Sequence, residues 1–352
     1  MQYKWMDNVR KVEPYVAGEQ PKNADVIKLN TNENPYPPAP EVRSIINGMD
    51  TDILRKYPDP TISDLVNALA DYHGVGRDQV FAGVGSDDVL SVAFLTFFAG
   101  DKPIIFPDIT YAFYPVWADV YRIPYGTAPV GADFRINAAD YMKENGGIVI
   151  ANPNAPTSIW EAPDFFEEIL KSNPSSMVIV DEAYVDFSNG SVLPLLEKYD
   201  NLLIVRTYSK SRSMAGMRIG YAIGRPEAIA AMNDIKQSIN SYTLTQIAIA
   251  SGVASVNDEK YFALSCAKVV ATRDKYDAVL RSIGFSGPKS QTNFLFFKHE
   301  RVGGNEIFKR LREQNIFVRH FSKPAIDDYL RITIGTDEEM ERLTQALKDI
   351  VK

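Results

Sequence analysis

The sequence predicts an α/β protein: a large domain with a mostly parallel sheet flanked by helices, followed by a smaller α+β domain at the carboxyl end. Two observations carry this. Short, uniformly apolar, β-branched runs recur at residues 103–106, 148–151, 177–180, 202–205 and 219–222, with helical patterns between several of them. Strands that are apolar on both faces belong to a parallel sheet sandwiched by helices. Beyond about residue 240 the pattern changes, and strand-like segments at 293–297, 317–319 and 330–334 mix with helices. A length of 352 residues exceeds one hydrophobic core. We therefore expect an amino-terminal arm over 1–40, a large domain over 41–245 and a small domain over 246–352.

Each segment has its own reason. Residues 14–40 are rich in proline and asparagine and read as an extended arm. From Ser63 a helix follows, with Leu65, Ala68, Leu69 and Tyr72 on one face. Gly83-Val-Gly-Ser-Asp87 opens another, which presents Leu90, Ala93, Phe94 and Phe97 together. The chain closes on a helix with Met340, Leu343, Leu347 and Ile350 aligned.

Composition narrows the function classes. Hydrophobic residues make up 45% and charged residues 24%, an ordinary globular balance. No apolar run reaches the roughly 18 residues of a membrane span. The opening Met1-Gln2-Tyr3-Lys4-Trp5 lacks a signal-peptide pattern, and a lone cysteine, Cys266, suits a reducing compartment, so cytoplasm is the expected location. A net charge of −7 argues against a duplex nucleic-acid partner but leaves room for a basic pocket. The three histidines, His73, His299 and His320, are scattered and give no metal-ligand spacing, so no metal is expected. At its helix end His73 suits a cation at the dipole's negative pole, and all three read as capping or core residues.

The informative residues follow the buried runs, because ligands of open α/β sheets sit at the carboxyl ends of strands. After 202–205 come Ser209-Lys210 and, further on, Gly216 and Arg218. A lysine in this position is a candidate nucleophilic amine, and Ser209 with Arg218 could hold a phosphate. A surface lysine and a surface ion-pair arginine explain the same residues. After 177–180 come Asp181 and Tyr184; an acid there needs a cationic partner, such as a protonated pyridine ring, or else it caps the next helix. After 148–151, Asn152-Pro-Asn-Ala-Pro-Thr-Ser158 is a turn whose asparagine could meet a ring hydroxyl, although turn chemistry alone accounts for it. Upstream, Gly85, Ser86 and Asp87 offer the free N–H groups of a helix start to an anion. The carboxylates of Asp87 and Asp88 would repel that anion if they faced it. Tyr111 could stack on a flat ring or belong to the core. One ligand meets all these demands together: a planar, protonatable, phosphorylated aromatic aldehyde, which is pyridoxal 5'-phosphate.

The ordered set Gly85-Ser86-Asp87, Tyr111, Asn-Pro-Asn-x-Pro-Thr, Asp181-x-x-Tyr184, Ser209-Lys210, Arg218 and Leu330-Arg331-Ile-Thr-Ile-Gly335 resembles the fold-type I, pyridoxal phosphate-dependent class II aminotransferases. Leu29-Asn-Thr-Asn-Glu-Asn-Pro35 and Arg55-Lys-Tyr-Pro-Asp-Pro60 are similar to signatures of the histidinol-phosphate aminotransferase family. The resemblance spans nearly the whole chain. It implies that Lys210 forms the Schiff base and later moves the α-proton. Asp181 would hold the pyridine nitrogen and Tyr184 the ring oxygen, with Tyr111 stacked on the ring. Gly85, Ser86, Asp87 through its backbone N–H, Ser209 and Arg218 would bind the cofactor phosphate. Tyr57 would reach the neighbouring subunit's cofactor, making a homodimer the working unit. Tyr15, Asn30, Arg319 and Arg331 would contact the substrate, Arg331 receiving its anionic group.

The implied reaction moves an amino group between L-histidinol phosphate and 2-oxoglutarate in histidine biosynthesis. An aromatic amino acid aminotransferase, a threonine-phosphate decarboxylase and, more remotely, a non-catalytic cofactor-binding regulator share the fold. Two departures stand out: Ala155 occupies the usual asparagine position before Pro-Thr, leaving Asn154 as the candidate ring-oxygen contact, and Ser158 replaces the usual glycine.

Overall fold

The apolar runs become the strands of one seven-stranded sheet. The computed structural model describes residues 3–22 and 25–352. Met1 and Gln2, the start of the amino-terminal stretch read above, lie outside the described residues, as do Asn23 and Ala24 of the arm. The elements run β1 (Ile27–Lys28), α1 (Pro40–Asn47), α2 (Ser63–His73), β2 (Val80–Val84), α3 (Gly85–Phe97), β3 (Ile104–Pro107), α4 (Phe113–Tyr121), β4 (Tyr125–Ala128), β5 (Gly147–Ala151), α5 (Pro163–Ser172), β6 (Val178–Asp181), β7 (Leu202–Thr207) and β8 (Ile219–Ile223). Then follow α6 (Pro226–Ile239), α7 (Gln246–Asn257), α8 (Glu259–Arg281), β9 (Phe285–Ser286), β10 (Phe294–His299), α9 (Gly304–Glu313), β11 (Ile316–Phe317), β12 (Arg319–His320), β13 (Leu330–Thr333) and α10 (Asp337–Val351).

The large sheet has the order β2-β8-β7-β6-β5-β3-β4. All neighbours are parallel except β8, which runs antiparallel to both β2 and β7. One face packs on Leu65, Leu69, Phe166 and Ile169, the other on Leu90, Phe94, Trp117 and Met232. Strands covered on both faces have no use for polar side chains, which is why they read as continuous apolar runs. The small domain sets the antiparallel sheet β12-β13-β10-β9 against α8, α9 and α10. Helix α10 starts with a capping box, Thr336 with Glu339, that satisfies two free backbone N–H groups.

Packing moves two of the expected divisions. Helix α7, placed at the head of the small domain by a boundary at 246, packs on α1 and α2, with Ala248, Ile249 and Val256 in the large-domain core. Gly252 permits this approach, since a Cβ there would lie 2.9 Å from Leu65 Cδ1. The chain passes between the two cores near Asp258. At the other end, β1 of the expected arm pairs in parallel with β11, and Ile27 and Leu29 are buried in the small-domain core. His73 also departs from expectation. Its Nε2 lies 2.9 Å from the Tyr221 hydroxyl, and burial, with Arg206 and Arg212 nearby, lowers its pKa to about 3. The imidazole is therefore neutral and is no cation at the helix end.

Candidate active site

Strand direction gathers the site. The carboxyl ends of β5, β6 and β7 point the same way, and β2 runs parallel to them through its shared antiparallel partner, β8. The amino terminus of α3 therefore opens at this edge, and Arg218, the residue before β8, returns to it. Ser86, Asp87, Tyr111, Asp181, Tyr184, Ser209, Lys210 and Arg218 line one cavity there. Thr31, Glu33, Ala155 and Thr207 complete part of the wall.

Lys210 Nζ donates to the backbone carbonyl of Thr31 at 3.2 Å and stands 5.8 Å from the centre of the Tyr184 ring. It forms no ion pair among the described residues. Asp181 is 5% exposed. Its Oδ2 accepts from the Tyr114 hydroxyl at 2.9 Å and its Oδ1 from Ala183 N at 3.2 Å. Burial raises its pKa to about 6 against the lowering effect of those two bonds. This carboxylate is short of positive charge, the condition a ring N–H⁺ would relieve.

The anion end of the cavity is built by close backbone approach. Gly85 adopts φ +80°, and a Cβ there would lie 2.4 Å from Arg218 Nη2. A Cβ on Gly220 would lie 2.3 Å from Ser86 N. Without side chains at these positions the α3 terminus, Ser86 and Arg218 converge, with Ser209 Oγ 3.5 Å from Arg218 Nη1. Donors and a helix dipole aimed at one point suit an anion such as a phosphate. Of the two acids of α3, Asp88 turns away from that point and Asp87 stands at its edge. Asp88 turns back to accept from Val84 N at 2.9 Å, and Asp87 Oδ1 accepts from the Tyr111 hydroxyl at 2.8 Å. Asp87 Oδ2 also meets Arg218 at 3.4 Å. Burial, and secondarily the Asp87 charge, push the Tyr111 hydroxyl far above its ordinary value, so Tyr111 is held protonated.

Beyond the cavity lies the small domain's basic pair. Arg319 and Arg331 face each other directly across β12 and β13. Arg331 Nη2 donates to Asn30 O at 3.1 Å, while its buried Nε has no partner among the described residues. Burial lowers its pKa, with Tyr184 and Tyr15 acting in the opposite direction and Arg319 in the same one. Arg319 reaches the Val16 carbonyl at 3.5 Å. Neither arginine forms an ion pair among the described residues. Tyr15 stacks on Phe113 with ring centres 4.2 Å apart and lies 6.5 Å from Tyr111. Asn30 is buried, its amide donating to Glu19 O at 2.8 Å while its Oδ1 has no partner among the described residues.

Two expected residues stand elsewhere. Asn154 is fully engaged: its Nδ2 donates to Ile109 O and to Thr157 Oγ1, both at 2.9 Å, and its Oδ1 accepts from Thr110 at 2.8 Å. It braces the loop behind the wall, and Ala155 takes the cavity position. The expectation that Asn154 meets a ring oxygen does not fit this geometry. Tyr57 is 78% exposed and stacks on Tyr242 at 4.5 Å, away from its own chain's cavity. Sequence reasoning missed Tyr114 and Asn32, whose Nδ2 donates to the Tyr184 hydroxyl at 2.7 Å. Tyr114 follows Tyr111 by three positions, at the start of α4, and Asn32 lies within residues 29–35, so both neighbour residues that the motifs single out.

This site and this topology define a known class. Residues 24–347 match the family described as aminotransferase class I and II, and the chain belongs to that family. More particularly, it is 50% identical over 348 residues to the histidinol-phosphate aminotransferase of Lactococcus lactis subsp. cremoris (strain MG1363), an alignment covering 99% of this chain and 98% of that one. It is 51% identical over 350 residues to histidinol-phosphate aminotransferase 2 of Dechloromonas aromatica (strain RCB), with 98% of each covered. The crystal structure of histidinol-phosphate aminotransferase from Sinorhizobium meliloti in complex with pyridoxal-5'-phosphate shares the fold, with a TM-score of 0.83 at 24% identity over 92% of this chain and 90% of that one.

Proposed function

We propose that the chain transfers an amino group from L-histidinol phosphate to 2-oxoglutarate, using pyridoxal 5'-phosphate held through Lys210. The carrying observation is the cross-strand pair Arg319 and Arg331, without a carboxylate partner among the described residues, set beside a lysine-bearing cavity with its own anion-binding end. Like charges directly opposite on a sheet repel, and a buried guanidinium without an acid is costly. A substrate anion between them relieves both. Relatives of about half identical sequence over nearly the full length support the same reading.

The bound cofactor supplies an electron sink for the carbanion formed at the substrate's Cα. Every other task falls to side chains. Ser86, the Asp87 backbone N–H, Ser209 and Arg218 hold the phosphate, with Gly85 leaving room. Asp181 keeps the ring nitrogen protonated, and Tyr114 orients Asp181. Tyr111 covers the ring, and Tyr184 donates to the ring oxygen. Lys210, whose Nζ stands in the same cavity, would take the α-proton and return it. Arg331 receives glutamate carboxylate or substrate phosphate, and Arg319, with Tyr15 and Asn30 alongside, adds the second fork that a phosphate dianion rewards.

In this reading Arg319→Leu lowers kcat/KM for histidinol phosphate by about 10- to 100-fold and leaves phenylalanine nearly unchanged. Arg331→Leu lowers it for histidinol phosphate and glutamate alike. Steady-state kinetics on the three substrates check this. If Arg319→Leu leaves histidinol phosphate untouched, the aromatic substrate reading replaces this one.

A homodimer belongs to the same proposal. Tyr57 and Tyr242, stacked and exposed, with the exposed Leu54 and Ile239 a few positions before them in the chain, suit an interface that carries Tyr57 into the neighbour's cofactor phosphate. Mixing Tyr57→Phe with Lys210→Ala then forms heterodimers in which one site carries both defects and the other neither. The expected result is recovery of near-native turnover at the second site. Verified subunit exchange without recovery places Tyr57 within its own chain or outside catalysis. The partners are the two small-molecule substrates, with no nucleic acid or membrane. A cytoplasmic location accords with the single, buried Cys266.

A further inference from the structure

We propose that Asn32 is a positioning residue that fixes the direction in which Tyr184 donates its proton. The proposal rests on the reading of Tyr184 as donor to the cofactor's ring oxygen. Asn32 is 1% exposed and sits in the left-handed region at φ 57°, a conformation asparagine tolerates better than most residues. It is held on every side. Its backbone N–H donates to Thr333 Oγ1 at 3.0 Å, and its carbonyl accepts from Asn293 Nδ2 at 2.9 Å.

The orientation of its amide follows from Thr333. The Thr333 oxygen already accepts from the Asn32 backbone, and its hydroxyl proton goes to Asn32 Oδ1 at 3.2 Å. The amide oxygen thus faces Thr333, and the amide nitrogen faces Tyr184 at 2.7 Å. That nitrogen carries only donor hydrogens, so the Tyr184 oxygen must accept. A phenolic O–H lies near the ring plane. With one in-plane position of the oxygen filled by Asn32, the Tyr184 proton takes the other, on the side of the cavity that Tyr184 lines. Accepting a bond also strengthens the hydroxyl as a donor. Thr333 stands two residues after Arg331 on β13, so the strand that carries the anion receptor also sets this proton.

The test is the pH midpoint of the bound cofactor's visible absorbance change in holoprotein. Losing a donor to the ring oxygen keeps the proton bound to higher pH, so the midpoint rises. Tyr184→Phe is expected to raise it by about one unit or more. Asn32→Gly, which suits the left-handed backbone, is expected to raise it by about 0.3 to 0.6 unit. Combined with Tyr184→Phe, Asn32→Gly should add nothing. Thr333→Val, which frees the amide to turn over, should move the midpoint in the same direction and carries the comparison if Asn32→Gly does not fold. A Tyr184→Phe protein with an unmoved midpoint sinks the underlying reading of Tyr184. If Tyr184→Phe shifts the midpoint but neither Asn32→Gly nor Thr333→Val does, or if their effects add to that of Tyr184→Phe, Asn32 is only structural and the proposal is overturned.

Discussion

Lys210→Ala is expected to lower turnover by about 10³- to 10⁴-fold while the protein still binds pyridoxal 5'-phosphate without a covalent bond. The two halves of this expectation separate because the contacts do. Arg218, Ser209, Ser86 and the α3 terminus gather at the phosphate end, whereas Lys210 Nζ hydrogen-bonds, among the described residues, to the Thr31 carbonyl alone. Removing the amine therefore deletes the tether and the proton carrier and leaves the cradle intact. Equilibrium dialysis measures retention, and single-turnover kinetics measure the loss. Near-native turnover would remove Lys210 from the mechanism, and failure to hold the cofactor would show that the phosphate contacts are too weak to act alone.

The second large effect is at Asp181, where function and stability pull apart. With cofactor bound, Asp181→Asn removes the charge that keeps the ring nitrogen protonated, and proton abstraction from the substrate should slow by about 10²-fold or more. Without cofactor the same change should stabilise the fold. Burial raises the Asp181 pKa to about 6, above the ordinary 3.8. The folded state therefore holds this proton more tightly than the unfolded chain does between about pH 4 and 6, and stability falls as pH rises through that window. A shift of about two units corresponds to about 3 kcal/mol. Asparagine carries no such charge and can still accept from Tyr114. Cofactor-free Asp181→Asn should thus resist urea better than the parent protein at pH 8, with the difference gone by pH 4. Equal stability at pH 8 would mean that the buried carboxylate is not strained by its surroundings.

Much of this was legible in the sequence, for physical reasons. Strands β3, β5, β6, β7 and β8 are covered on both faces, so each is an apolar run, and their termini pointed to Asp181, Lys210 and the loop after β5. Strand β4 was not legible: it is an edge strand whose Tyr125–Ala128 stretch is largely exposed. Nor does any local pattern announce that β8 is antiparallel, although this is what returns Arg218 to the cavity. Helix α7 is apolar enough to follow either core, and its packing on α1 and α2, with the close approach of Gly252 to Leu65, sets it with the large-domain core. The bonds of Asn154 were not legible for a related reason. An asparagine in a turn satisfies the loop before it serves a ligand, and here the loop takes both ends of the amide. The Arg319–Arg331 pairing lay within reach as two strand-like segments, but its register required the sheet.

In the proposed reaction one cavity is both the cofactor's anchor and the place where histidinol phosphate gives up its amino group. Borohydride reduction of the holoprotein followed by peptide mapping tests both at once. Lys210 should carry the label alone. Treatment with histidinol phosphate before reduction, without 2-oxoglutarate, should free Lys210 and erase the label, and later addition of 2-oxoglutarate should restore it. A label on another lysine, or a Lys210 label that histidinol phosphate leaves unchanged, would contradict the account.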